Sequence, residues 1–205
     1  MKKYELTDET IDVSGTTLHR IKALKDFGNV KKGELGGYVE SERNLSQEGN
    51  CWVCGNAKVC GDAEVCGNAK VCGDAKVCGN AWVFGNAEVY GNAKVYGNAW
   101  VFGNAEVCGN AKVYGNAWVY GNAEVCGNAR VYGDADYITI KGLGSKYRNT
   151  TIFRTKENIA VKCGCFYGTL AEFVDKVKET HGNSKFTKEY LALIDLVKIH
   201  FELEE

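Results

Sequence analysis

The sequence has no proline, one methionine and three histidines. Nowhere does it string together the roughly eighteen apolar residues that a membrane-spanning helix requires. Each scarcity excludes something. Without proline, turns must come from other residues, and the 25 glycines are the obvious supply. The histidines His19, His181 and His200 lie far apart in the chain, which leaves little from which to assemble a histidine-based zinc centre or a general base. Charge of one sign is also missing. With 25 basic and 26 acidic residues the formal net charge is −1, so no bulk field draws the chain toward nucleic acid or an anionic membrane. The opening "MKKYELTDETIDVSG" has two lysines but no apolar run behind them, so no signal peptide is expected and the chain reads as soluble and cytoplasmic.

Cysteine, by contrast, is plentiful, with ten residues. Such a density suggests a disulfide framework in a small secreted protein. Position argues otherwise, because Cys54, Cys60, Cys66, Cys72, Cys78, Cys108 and Cys126 occupy one repeated slot that elsewhere holds Tyr or Phe. Cysteine there reads as a small hydrophobe. Metal or redox use is the alternative, through the C-x-x-C of Cys51 and Cys54 or the C-x-C of Cys163 and Cys165, although a spacing of six does not suit paired zinc ligands.

From Gly49 to Ile138 the chain reads as fifteen hexapeptides of the form G-[N/D]-A-x-V-[C/Y/F], with Cys51 and Tyr137 as departures at the two ends. A short fixed period signals a solenoid, whose units bury their apolar faces by stacking on one another. Ala-x-Val alternates as a strand does, with Ala and Val inward and the residues flanking Val outward. Gly-Asn supplies the corners, being the pair that best tolerates positive φ.

The residue before each valine sets the larger period. Every third hexapeptide gives Lys58, Lys76, Lys94, Lys112 and Arg130; then Glu64, Trp82, Trp100 and Trp118; then Trp52, Lys70, Glu88, Glu106 and Glu124. A three-sided prism with eighteen residues per coil sorts these letters into a basic, an aromatic and a mostly acidic ladder. Five coils at about 4.8 Å each make it about 24 Å long. Phe84, Phe102 and Tyr120 flank the tryptophans, and Tyr96, Tyr114 and Tyr132 flank the basic ladder. Stacked like charges repel, so the basic and acidic faces must relieve one another across corners or meet an outside partner.

These residues resemble the hexapeptide-repeat proteins that form left-handed parallel β-helices, and left-handedness is an implication of that resemblance. A right-handed triangular helix, like the bactofilin polymer-forming proteins, is the alternative, because Cys, Tyr or Phe intervenes here between the inward aliphatic residue and the next glycine. Residues 1–48 read as an N-terminal β cap with a hairpin closed around Gly15, and "DFGNVKKGELGGYVESERNLSQEGNCWV" then leads into the first coil. That stretch resembles the start of YdcK-type hexapeptide proteins of bacteria, which are classed as transferases without an established reaction.

Residues 139–205 read as a small α+β domain. "DYITIKGLG", "TTIFRTKE" and "IAVKCGCF" are predicted as three short strands. "TLAEFVDKVKETHG" is predicted as a helix with Thr169 and Glu172 as its capping box and Gly182 as its stop, and "TKEYLALIDLVKIHFELEE" as a second. The segment from "GSKYRNTTIF" through "CGCF" and "GTLAEF" to "ETHG" resembles a domain of unknown function found on pentapeptide- and hexapeptide-repeat proteins of phages and prophages. The resemblance implies a mobile-element origin.

Hexapeptide acyltransferases use a histidine base on the solenoid, and the related carbonic anhydrases need three zinc-binding histidines; the repeats here contain none. The expectation is therefore a non-enzymatic phage-type scaffold or binding module, with no cofactor, metal or catalytic residue. Its candidate surface is the aromatic face of Trp82, Trp100, Trp118, Phe84, Phe102 and Tyr120, for a protein partner or self-association. The basic face, Lys58, Lys76, Lys94, Lys112 and Arg130 with Tyr96, Tyr114 and Tyr132, is a weaker candidate for a nucleotide or nucleic acid. Lys146, Arg148 and Arg154, with Ser145, Thr150 and Thr151, form a candidate anion site. Two alternatives stay open: a phage counter-defence protein that sequesters a host protein or nucleotide signal, and a degenerate hexapeptide acyltransferase.

Overall fold

Alternation in "YELTDETIDV" and "TTLHRIKA" produces an antiparallel hairpin, β1 (Tyr4–Val13) and β2 (Thr16–Ala23). Ser14 and Gly15 turn it with φ of 56° and 84°, the left-handed pair that a two-residue hairpin turn needs. The computed structural model describes residues 2–203. β3 (Leu35–Val39) pairs antiparallel with β2 on one edge and parallel with Lys58–Val59 on the other. This strand converts a hairpin into a solenoid.

Fourteen two-residue strands follow, from β4 (Trp52–Val53) to β17 (Arg130–Val131), each pairing in register with a strand eighteen residues away, while β5 (Lys58–Val59) at the first coil also pairs with β3. They form three parallel sheets, the sides of a prism of about five coils. The Lys58–Arg130 side continues into β3, β2 and β1 as one eight-stranded sheet, while the acidic side has five strands and the aromatic side four. Inside, the valines Val53 to Val131 and the alanines Ala57 to Ala129 have no exposed surface. Burying each valine contributes roughly 1.5–3 kcal/mol, and alanine opposite it keeps the interior narrow.

At the corners, positive φ belongs to the glycines, for example Gly73 at 70°, and among the described residues no asparagine shares it. A Cβ on Gly73 would also lie 3.1 Å from the nitrogen of Gly91 in the next coil. Asparagine has a different task. Its amide donates to the carbonyl oxygen of the asparagine one coil on, as along the column Asn50, Asn68, Asn86, Asn104 and Asn122, with distances of 3.0–3.3 Å.

Both ends are covered. Asn44 donates to the carbonyls of Gly61 and Ala63, while Tyr4 and Phe27 pack edge-on against Trp52 and bury it beneath the cap. Lys3 is fully buried and donates to the backbone oxygens of Glu48 and Cys51, which satisfies its ammonium.

The fifteenth repeat departs from the prism. Asp134–Asp136 form a single 3₁₀ turn, and Tyr137 opens β18 (Tyr137–Leu143) of a separate antiparallel sheet. That sheet continues with β19 (Arg148–Arg154), β20 (Ile159–Cys163) and β21 (Phe166–Thr169), in spatial order. β21 is a fourth strand beyond the three expected, split from β20 by Gly164 at φ 58°. Helix α1 (Leu170–His181) starts at the capping box, where the Glu172 N–H donates to the Thr169 hydroxyl and the Thr169 N–H to the Glu172 carboxylate. It ends at Gly182, and α2 (Lys185–His200) packs beside it. Among the described residues no helix is long and apolar enough to cross a membrane.

Cysteine corrects one expectation. Cys54 and Cys72, in the repeat slot read as hydrophobic, are joined by a disulfide with Cα atoms 4.7 Å apart.

Candidate functional site

Register places the aromatic residues. Because Trp82, Trp100 and Trp118 pair strand to strand, their rings stack, with centroids 5.4 and 5.1 Å apart and planes within 9°. Phe84, Phe102 and Tyr120 make a second column at 4.9 and 5.4 Å. The columns interlock edge to face, as where Phe84 meets Trp100 at 5.9 Å and 78°. Each such pair contributes about 0.5–1.5 kcal/mol beyond area burial. Stacking still leaves outer edges in solvent: Trp82 is 38%, Trp118 45% and Tyr120 49% exposed. The result is a flat, stiff, apolar strip.

The strip ends in a notch. Among the described residues no further strand follows Trp118–Val119 on this side, and the chain instead turns out through Asp134 into β18. Phe102, Trp118, Tyr120, Asp134, Tyr137 and Thr139 line the resulting hollow. Asp134 accepts the Trp118 N–H at 2.8 Å, and the Tyr137 hydroxyl donates to the Trp118 carbonyl at 2.7 Å. Burial pushes Tyr137 up to about 12. Its proton, and with it this anchor, persists through neutral pH.

On the basic side, Lys58, Lys76, Lys94, Lys112 and Arg130 form one in-register ladder. Tyr96, Tyr114 and Tyr132 stack beside it at 5.6 and 4.9 Å. Relief across corners is not how the charges are managed. Among the described residues no ion pair joins the basic ladder to the acidic one; Lys70 pairs with Glu88 within the acidic side, and Lys162 of β20 with Glu124. The ladder lysines are half-buried, with Lys58 donating to the Asn56 carbonyl at 3.0 Å, and in water repulsion at this spacing is on the order of 1 kcal/mol per pair.

The three residues of the expected anion site are not together. Lys146 and Arg148 line a cleft of the C-terminal domain with Ser145, Lys176, His181 and Tyr190. Arg154 lies apart, its guanidinium 3.2 Å from Asp136 and stacked over Phe201. Thr150 and Thr151 are buried and used internally, the first donating to Cys163 and the second accepting the Glu124 N–H. Lys176 was missed because a lysine on the polar side of a helix carries no local mark of what faces it.

The histidines remain scattered. Nδ1 of His19 is 3.3 Å from the Thr7 carbonyl in the hairpin, His181 stacks on Tyr190, and Nε2 of His200 is 2.9 Å from the Ala135 carbonyl. Among the described residues no group of three or more His, Cys, Asp or Glu is arranged to hold a metal ion.

No protein-family model matches the chain. Over 61 residues it is 39% identical to the uncharacterized acetyltransferase YdcK of Escherichia coli (strain K12), a match that takes in 26% of this chain and 19% of that protein.

Proposed function

We propose that this chain is a non-enzymatic β-solenoid module, a rigid scaffold of the kind carried by phages and prophages, that docks a protein surface on its aromatic strip. One observation carries the reading: two interlocked ring columns present a continuous apolar surface with outer edges in solvent and a notch at one end. Coil stacking does not demand tryptophan there, because Lys76, Lys94 and Lys112 fill the equivalent slot on the neighbouring side. Pre-stacked rings lose little entropy on binding, which is what makes aromatic residues effective anchors.

Acyl transfer is the second reading, favoured by the likeness to YdcK. Against it, the prism offers no histidine to deprotonate an acceptor. The test is the triple variant Trp82→Lys, Trp100→Lys, Trp118→Lys, which mimics the lysine ladder. It is expected to keep the circular dichroism of the wild type and lose its bound partner or its self-association. An unchanged binding profile and assembly state would sink the proposal, and an unfolded variant would mean that the strip is structural.

A further inference from the structure

Six of the seven repeat-slot cysteines fall into pairs eighteen residues apart, and eighteen residues are one coil. In-register pairing of the preceding valines, Val53 with Val71, Val59 with Val77 and Val107 with Val125, brings each cysteine beside its partner. Cys54 and Cys72 are already bonded, with a Cα separation of 4.7 Å that lies inside the range a disulfide accepts, about 4.4–6.8 Å. Cys60 and Cys78 have Sγ atoms 2.7 Å apart. The Cys60 and Cys108 N–H groups each donate to the valine carbonyl next to their partner cysteine, Val77 and Val125, at 3.0 Å. The pairs cluster toward the ends of the prism. On the acidic side the slot reads Cys54, Cys72, Tyr90, Cys108, Cys126, and on the basic side Cys60 and Cys78 precede three stacked tyrosines.

We propose that Cys60/Cys78 and Cys108/Cys126 are oxidative modification sites, at which a low-molecular-weight disulfide closes a covalent bond between consecutive coils. In the first step the Cys108 thiolate attacks one sulfur of the disulfide. A mixed disulfide forms and one small thiolate leaves, taking a proton from water. Cys126 then gives up its proton, and its sulfur attacks Sγ of Cys108 and expels the second small thiol. Two protein thiols are oxidised and one small disulfide is reduced to two thiols.

The environment distinguishes the two sulfurs. The neighbouring Cys126 thiol favours the Cys108 thiolate and draws its pKa down, with Tyr90 and Lys162 assisting and burial and Glu106 opposing. That same contact, together with burial, pushes Cys126 up. The asymmetry recurs in Cys60, held down by its bond with Cys78, and in Cys78, pushed up by it. Cys66 is a built-in control. It occupies the same slot, but Phe84 rather than cysteine lies one coil on, and burial raises its pKa.

The experiment uses the full chain, reduced and then exposed to oxidised glutathione, unfolded, alkylated and mapped by peptide mass. Alkylatable thiols should fall from ten to the four of Cys51, Cys66, Cys163 and Cys165, with cross-linked peptides joining Cys60 to Cys78 and Cys108 to Cys126. A Cys78→Tyr variant, with the residue that Tyr96 places one rung on, should fold, leave Cys60 alkylatable and keep the Cys108–Cys126 link. In the reduced folded chain, Cys108 should alkylate at lower pH than Cys126. The proposal is overturned if the four cysteines stay alkylatable after oxidation, carry glutathione without cross-linking, or join other cysteines or other chains. Faster reaction of Cys126 would overturn the choice of attacking sulfur.

Discussion

Asparagine and cysteine each hold a fixed place in the hexapeptide, and both act through the residue eighteen positions away. Reading Gly-Asn as a backbone corner accounts for the glycine, whose φ is positive, but not for the asparagine, whose amide joins a column along the prism edge. A substitution separates the two roles. Asn86→Asp keeps an oxygen to accept from Asn68 but removes the donor to Asn104, leaving two oxygens about 3 Å apart. It should lower unfolding free energy by about 1 kcal/mol in a denaturant titration. The wild-type chain has one such break: Asn56 donates to Asp74, and among the described residues no side-chain bond continues from Asp74 to Asn92. No change in stability would mean that the amide columns are ornamental.

At the scale of elements, legibility followed periodicity. Two-residue strands are too short to identify alone, yet the repeat placed all of them, because alanine and valine alternate between fixed glycines. The capping box of α1 was legible from Thr169 and Glu172, since the interaction is local. β21 was not, because "IAVKCGCF" reads as one strand until Gly164 reverses the chain and "FYGT" folds back on β20. The cleft beside Lys146 and Arg148 was half legible. Arg154 shares the strand of Arg148 and the charge of both, but Asp136 and Phe201, distant in sequence, claim it. The cysteine pairs were visible in the spacing, but each residue was weighed against the aromatic residues of its slot rather than against its neighbour one coil away.

Across the whole molecule, three sides of one prism carry three chemistries, and both ends are sealed by the chain itself. The C-terminal sheet takes over the exposed edge of the last coil, with the Thr151 hydroxyl accepting the Glu124 N–H and the Asn149 amide donating to the Asn122 carbonyl. Covering the terminal coils shields strand edges of the prism that would otherwise recruit other chains, which leaves its sides for the proposed docking. Purified protein is expected neither to bind acetyl-coenzyme A nor to acetylate amino sugars or amines. Turnover that disappears with His19→Ala or His181→Ala would reverse that reading.

Hydroxyl-radical footprinting tests the docking surface most directly, because each side of the prism carries its own reactive rings. The chain is labelled alone at low concentration and again in bacterial lysate, and each residue's oxidation is compared by mass spectrometry. Trp82, Trp118 and Tyr120, whose edges face solvent in the free chain, are expected to lose reactivity in the lysate, while Tyr132 on the basic side, 61% exposed, keeps its own. Protection of Tyr132 with the aromatic strip unchanged would place the working surface on the basic ladder and contradict the account.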